Sequence, residues 1–143
     1  MATITASAAF GGSTASSGWS FSCGLYSTAS AQASFTSGSS NSSSADSSFT
    51  SGKYTTASAQ SAAAFDNYSL ANRHGLFAHS SQGFSVSGSG QTILATLTKA
   101  TTDATPTELF LDNSSSRLTV ASGAAIHGLA IIIGRKSTGT VAT

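Results

Sequence analysis

The chain has 143 residues and one cysteine, Cys23, which excludes an intramolecular disulfide and a multi-cysteine metal site. A formal net charge of +1, with only 8% of residues charged, gives no pull toward nucleic acid or a membrane surface. Ser and Thr make up roughly a third of the residues, as in low-complexity linkers. A 39% hydrophobic content with almost no net charge is nevertheless unlike an ordinary disordered chain.

Residues 1–12, MATITASAAFGG, read as a lead-in. They have neither the positive start nor the apolar core of a secretory signal, and no apolar run in the sequence approaches membrane-spanning length.

From residue 13 to residue 89 the sequence falls into sevens without a gap: STASSGW, SFSCGLY, STASAQA, SFTSGSS, NSSSADS, SFTSGKY, TTASAQS, AAAFDNY, SLANRHG, LFAHSSQ and GFSVSGS. The first column is nearly all Ser, Thr or Asn through Ser69. The third is Ala, Ser or Thr down to Ser85, and the fifth alternates Gly24, Ala31, Gly38, Ala45, Gly52 and Ala59. The second column alternates by size, with Phe21, Phe35, Phe49 and Phe77 in every other seven and Thr14, Thr28, Ser42, Thr56 and Leu70 between them. The true period is therefore fourteen. Ala63 interrupts the Phe series, and Phe65 stands two places on, where a strand keeps it on the same face.

Heptads of Ser, Thr and Gly lack the two bulky apolar positions and the helix formers of a coiled coil. Small columns one, three and five alternate with columns two and four, so each seven predicts about five residues of strand followed by a two-residue turn. Two sevens then close one coil of a parallel solenoid, and every column becomes a ladder along it at about 4.8 Å per coil. In so narrow a coil the small columns are expected to face inward and the Phe column outward. The opposite arrangement, with Phe inside, remains open at this level.

The heptads resemble the head domains of trimeric autotransporter adhesins and the similar collar segments of bacteriophage fibres, whose repeat runs Ser-x-Ala-x-Gly-x-x. The match is carried by Ser27, Ala29 and Ala31, by Ser34, Thr36 and Gly38, by Ser48, Thr50 and Gly52, and by Thr55, Ala57 and Ala59. The resemblance implies a left-handed parallel β-roll with three chains packed around an axis. This chain departs from the family in using Phe where aliphatic residues are usual. It also shows no signal peptide, coiled-coil stalk or membrane anchor, which favours the phage side.

Residues 90–143 change character and read as a small antiparallel β module. Candidate strands are Thr92 to Thr98, Glu108 to Leu111, Arg117 to Val120 and Ile126 to Gly134. The strings TTDATPTELFLD and SRLTVASGAAIHGLAIIIGR are similar to a segment of many phage and prophage virion proteins. The chain stops close to the last candidate strand, as a shortened or processed form would.

Little catalytic chemistry is legible. Cys23 shares a face with Phe21 and has no base paired with it. Asp46, Asp66, Asp103, Glu108 and Asp112 lack the spacing of an acid–base pair or a calcium loop. His74 and His79 fall in a turn and a strand, so the metal candidate is His79 alone, with three copies meeting at a trimer axis; His127 reads as solvated. Asn41, Asn67 and Asn113 open Asn-x-Ser sequons of the kind a Ser-rich chain contains by chance. Trp19, Tyr26, Tyr54 and Tyr68 share column seven, where they either contact a ligand or cap the turns.

These observations predict an all-β protein: a parallel β-roll of 14-residue coils, trimeric, followed by the small antiparallel module. The trimer interface is expected at Phe21, Cys23, Phe35, Phe49, Phe65 and Phe77. The expected function is non-enzymatic: a virion or tail-fibre segment, located on an extracellular particle, that projects and attaches. It needs no cofactor. Its partners would be its own copies, other virion or fibre proteins and a cell-surface glycan or protein receptor, with neither nucleic acid nor membrane insertion. A bacterial surface adhesin head is the alternative. An ice-binding solenoid is a more distant one, on the ladder of Thr14, Thr28, Ser42 and Thr56 beside Ser16, Ser30, Ser44 and Ser58.

Overall fold

A computed structural model of the protein describes residues 6–82, 86–101, 103, 105–119, 125 and 127–133. Ser85, the last member of the third column, lies outside them, as do Val120, Ile126 and Gly134 at the ends of two candidate strands.

The described residues form an all-β structure built on a parallel solenoid, with two strands per coil. The strands are β1 (Ala8–Phe10), β2 (Thr14–Ala15), β3 (Phe21–Leu25), β4 (Thr28–Ala29), β5 (Phe35–Ser39) and β6 (Ser42–Ser43). They continue as β7 (Phe49–Lys53), β8 (Thr56–Ala57), β9 (Ala63–Asn67), β10 (Leu70–Ala71), β11 (Phe77–Ser80) and β12 (Thr92–Leu94). The longer, odd-numbered strands make one parallel sheet in the order β1-β3-β5-β7-β9-β11, and the short strands make a second in the order β2-β4-β6-β8-β10. The register repeats every fourteen residues, with Phe21 beside Phe35, Phe35 beside Phe49, and Thr28 beside Ser42.

The interior is lined by columns one and three. Ser22, Ala29, Thr36, Ser43, Thr50, Ala57, Ala64, Ala71 and Ala78 are completely buried, as are Thr55 and Ser69, and Ser27, Ser34 and Ser48 nearly so. Buried hydroxyls cost free energy unless they find partners, and here most partners are other hydroxyls or backbone carbonyls. Ser22 Oγ lies 2.6 Å from Thr36 Oγ1, and Ser43 Oγ donates to the Phe35 carbonyl at 2.7 Å and lies 3.1 Å from Thr50 Oγ1. Ser content therefore reflects a core of short side chains bonded to the backbone that encloses them.

Column five, expected inside, is not buried as columns one and three are. Gly24, Gly38 and Gly52 have φ between +112° and +133°, and a Cβ on any of them would lie 1.8–2.0 Å from a carbonyl oxygen of the next coil. Glycine is required there by backbone direction and by close approach of the coils, not by the width of the interior. Column-one side chains pick up the carbonyls at this kink: Ser27 Oγ donates to Gly38 O at 3.1 Å, and Asn41 Nδ2 to Gly52 O at 2.8 Å. On the other half-coil, Ala31, Ala45 and Ala59 are only part-buried.

Column seven turns both corners. Every column-seven residue from Trp19 to Gly75 has φ between +53° and +61°: Trp19, Tyr26, Ala33, Ser40, Ser47, Tyr54, Ser61, Tyr68 and Gly75. This left-handed conformation costs a non-glycine residue about 1–3 kcal/mol. It persists because the corner N–H groups join the ladder, as when Tyr54 N–H donates to Ser39 O at 3.0 Å and Ser61 N–H to Asp46 O at 3.0 Å.

The long-strand sheet gains a strand at each end. β1 lies within the stretch read as lead-in and pairs with β3 in a register offset by thirteen residues, Ala8 opposite Phe21 and Phe10 opposite Cys23. At the other end β12 turns antiparallel onto β11, with Ile93 opposite Ala78, and covers the last coil.

Of the expected C-terminal strands, Thr92–Leu94 forms, and Thr98 makes one antiparallel bridge to Phe110. No strand forms over 117–119 or 127–133. The described part of this module is thus a capping strand and a turn-rich clip. In the clip, Arg117 makes a two-point pair with Glu108 (2.6 and 2.8 Å), and Asp112 Oδ1 accepts the N–H groups of Ser114, Ser115 and Ser116, each at 2.9 Å.

Candidate functional site

Columns that alternate with the buried ones must face solvent, and the second column of the long strands does. Phe21, Phe35, Phe49 and Phe65 are half-buried, and Phe77 and Phe10 are exposed. The arrangement with Phe in the interior is therefore excluded. Five rings form a continuous outer stack, with centroid spacings from Phe21 through Phe35, Phe49 and Phe65 to Phe77 of 5.1, 4.6, 5.2 and 5.0 Å, and Phe10 meets Phe21 at its end, tilted by 42° at 5.7 Å. Parallel in-register strands set this spacing, because rings on successive coils can only lie one coil apart.

Phe65 fills the gap left by Ala63, as its two-place displacement predicts. It stacks on Phe49 and on Phe77 from column four, where it lies opposite Ser51 and His79. Phe10 was not legible as a member. Its place opposite Cys23 makes it a column-four ring like Phe65, but the first coil is one residue short, so a strict period of fourteen misplaces it. The Gly11–Gly12 pair at the shortened corner is the sequence signal that marks it.

Cys23 lies beside the ring stack in column four, a part-buried free thiol 3.4 Å from Ser37 Oγ. His79 also lies in column four, but within one chain its Nε2 is 2.5 Å from Asp66 Oδ2. The nitrogen offered as an axial ligand is therefore engaged by a carboxylate of the preceding coil. The pair is spaced thirteen residues apart, one short of a coil, which the column reading overlooked. Among the described residues no three His, Cys, Asp or Glu side chains come together as a metal site. Asn41 is buried and fully engaged, so its sequon is a structural feature: besides the Gly52 carbonyl it donates to Ser37 O at 2.6 Å and accepts from Thr55 N at 3.0 Å.

The column-seven aromatics divide between two corners. Tyr26, Tyr54 and Tyr68 follow long strands and share one corner with Ser40, and Trp19 sits on the other with Ala33, Ser47, Ser61 and Gly75. Tyr54 and Tyr68 stack at 4.9 Å, and the Lys53 ammonium stands 5.0 Å from the Tyr54 ring centroid.

A second apolar surface lies near the C-terminus, where Leu129, Ile131, Ile132 and Ile133 are 78–88% exposed. No described helix is long and apolar enough to cross a membrane. The remaining outward face carries hydroxyls, with Thr14, Thr28, Ser42 and Thr56 in register beside exposed Ser16, Ser30, Ser44 and Ser58.

Comparison of the chain with protein-family models, with curated proteins and with solved structures finds no match.

Proposed function

We propose that this chain is a non-enzymatic structural segment of a trimeric fibre, of the kind carried by a phage tail or virion, and that it serves to project and attach. The observation that supports the reading is the uninterrupted outer row of six Phe rings, five of them stacked, on a roll whose own interior is filled with Ser, Thr and Ala. Fully burying one such ring contributes about 1.5–3 kcal/mol. The rings already cover one another in part, so a partner surface adds on the order of 5 kcal/mol per chain. An apolar stripe of this length is unusual on a lone soluble chain, and parallel copies around an axis would bury three of them together.

Mass measurement in solution tests the reading. Three chains per particle are expected, and a stable folded monomer with Phe35 and Phe49 in water would refute it. A bacterial surface adhesin head uses the same assembly and differs in how the chain is exported and anchored. The in-register hydroxyl face keeps an ice-binding role as a second reading, which absence of thermal hysteresis would end.

A further inference from the structure

The tyrosine corner is a ring ladder with one rung missing. Along it run Tyr26, Ser40, Tyr54 and Tyr68, one per coil, all with φ of 56–58° and so all presented by the same backbone geometry. Tyr54 and Tyr68, on adjacent coils, stack at 4.9 Å. Tyr26 lies two coils from Tyr54, about 9.6 Å away, and is 74% exposed. Ser40 between them supplies a hydroxyl where a ring would fit.

Two coil spacings match a guest one puckered ring thick. A flat aromatic guest in van der Waals contact with both rings would need only about 7–8 Å between them. A pyranose, whose axial hydrogens hold its mean plane further from each face, fits the wider gap. Half-buried Ser39 and Ser40 lie on the coil between the two tyrosines. Lys53 stands over the Tyr54 ring, and among the described residues no carboxylate pairs with it. The roll's other charged side chains are Asp46, Asp66 and Arg73, and Asp66 is held by His79, so the ammonium over Tyr54 selects an anionic sugar. The Phe stack lies at the opposite edge of the long-strand sheet, about 13 Å across four residues of strand, which leaves this corner open when the Phe faces close on one another.

We infer that the gap between Tyr26 and Tyr54, with Ser40 on the coil between them and Lys53 at its flank, is a binding site for an acidic saccharide ring. The inference deepens the attachment reading and depends on it only for its purpose.

The test uses the full chain with sodium glucuronate and N-acetylneuraminate as probes, and glucose and phenylacetate as neutral and aromatic controls, followed by saturation-transfer NMR. Saturable binding of at least one acidic sugar, stronger than either control, is expected. Lys53→Gln and Tyr54→Ser should each weaken it about tenfold, the loss of one charge-assisted or stacking contact. The deciding variant is Ser40→Tyr, which completes the ladder on a backbone that already accepts tyrosine. It should abolish sugar binding while raising the unfolding temperature and leaving the particle mass unchanged. No binding by either acid, equal binding of phenylacetate, or binding undiminished in Ser40→Tyr would overturn the inference. So would loss of association in Ser40→Tyr, because the corner would then lie between chains. A monomeric chain that bound glucuronate with these dependences would refute the trimer and uphold the site.

Discussion

The side-chain amide of Gln91 makes the two hydrogen bonds to Leu70 that a further coil would otherwise make. Leu70 N–H donates to Gln91 Oε1 at 2.8 Å, and Gln91 Nε2 donates to the Leu70 carbonyl at 2.9 Å. One side chain thus closes the edge of the short-strand sheet, while β12 closes the edge of the long-strand sheet. Both edges of a parallel ladder would otherwise be left with unpaired backbone groups.

Replacing Gln91 with Glu removes the donor and sets a carboxylate against the Leu70 carbonyl. With each hydrogen bond worth about 0.5–1.5 kcal/mol net, a loss of about 1–3 kcal/mol is expected, concentrated at the last coil. Hydrogen exchange at the Leu70 amide should accelerate well before that at Ser42 or Thr28.

Gly38→Ala should prevent the roll from closing. The new Cβ would lie 2.0 Å from the Gly52 carbonyl oxygen on a backbone at φ +112°, a combination expected to cost more than about 3 kcal/mol. Ala45→Gly, in the same column on the other half-coil, should cost only about 0.5–1 kcal/mol. Equal losses in chemical denaturation would show that the two halves of the coil are not distinct.

Asn41→Leu leaves the Gly52 and Ser37 carbonyls without the donor that now serves them. Orphaned buried polar groups cost about 1–3 kcal/mol each, so this variant should be among the least stable. Asn41→Ser should be milder, because Ser27 fills the equivalent place one coil earlier and reaches the Gly38 carbonyl.

Phe35→Ser with Phe49→Ser interrupts the ring stack at its two closest members, 4.6 Å apart. Loss of association together with loss of β signal in circular dichroism is expected. A monomer that kept its β structure would separate folding from assembly.

The Asp112 turn should respond to acid. Three N–H donors, from Ser116, Ser114 and Ser115, hold the carboxyl down at about 2. Because its folded value lies below the ordinary value near 3.9, its contribution is fully present above that value and is lost as pH falls through about 2. Amide shifts of Ser114–Ser116 should be native at pH 5 and collapse only near pH 2.

The regular columns were readable because a solenoid maps sequence period directly onto space. Phe21, Phe35 and Phe49 had to stack once the period was known, and the displaced Phe65 obeyed the strand's alternation. Failures came where something other than period decides the structure. Gly38 looks like Ala45 in a column, yet only its φ reveals that one is a kink and the other is not. Phe10 sits in a coil one residue short. Gln91 caps an edge through its side chain, which leaves no periodic trace, and Arg117–Thr119 has strand-like composition but no neighbouring strand to pair with among the described residues.

The left-handed corners also bear on how such a surface can change. Coil length is set by column seven, by the glycine kinks and by the buried small columns, all of which belong to the backbone or touch it. The outward columns two, four and six carry as different a set as Phe, Thr, Ser, Lys, Asp and His on the same frame. Construction is therefore encoded in the buried columns and in the backbone of the corners, and display in the side chains that face outward, those of column seven included. A lineage could rewrite what the rod presents, rung by rung, without renegotiating how it folds.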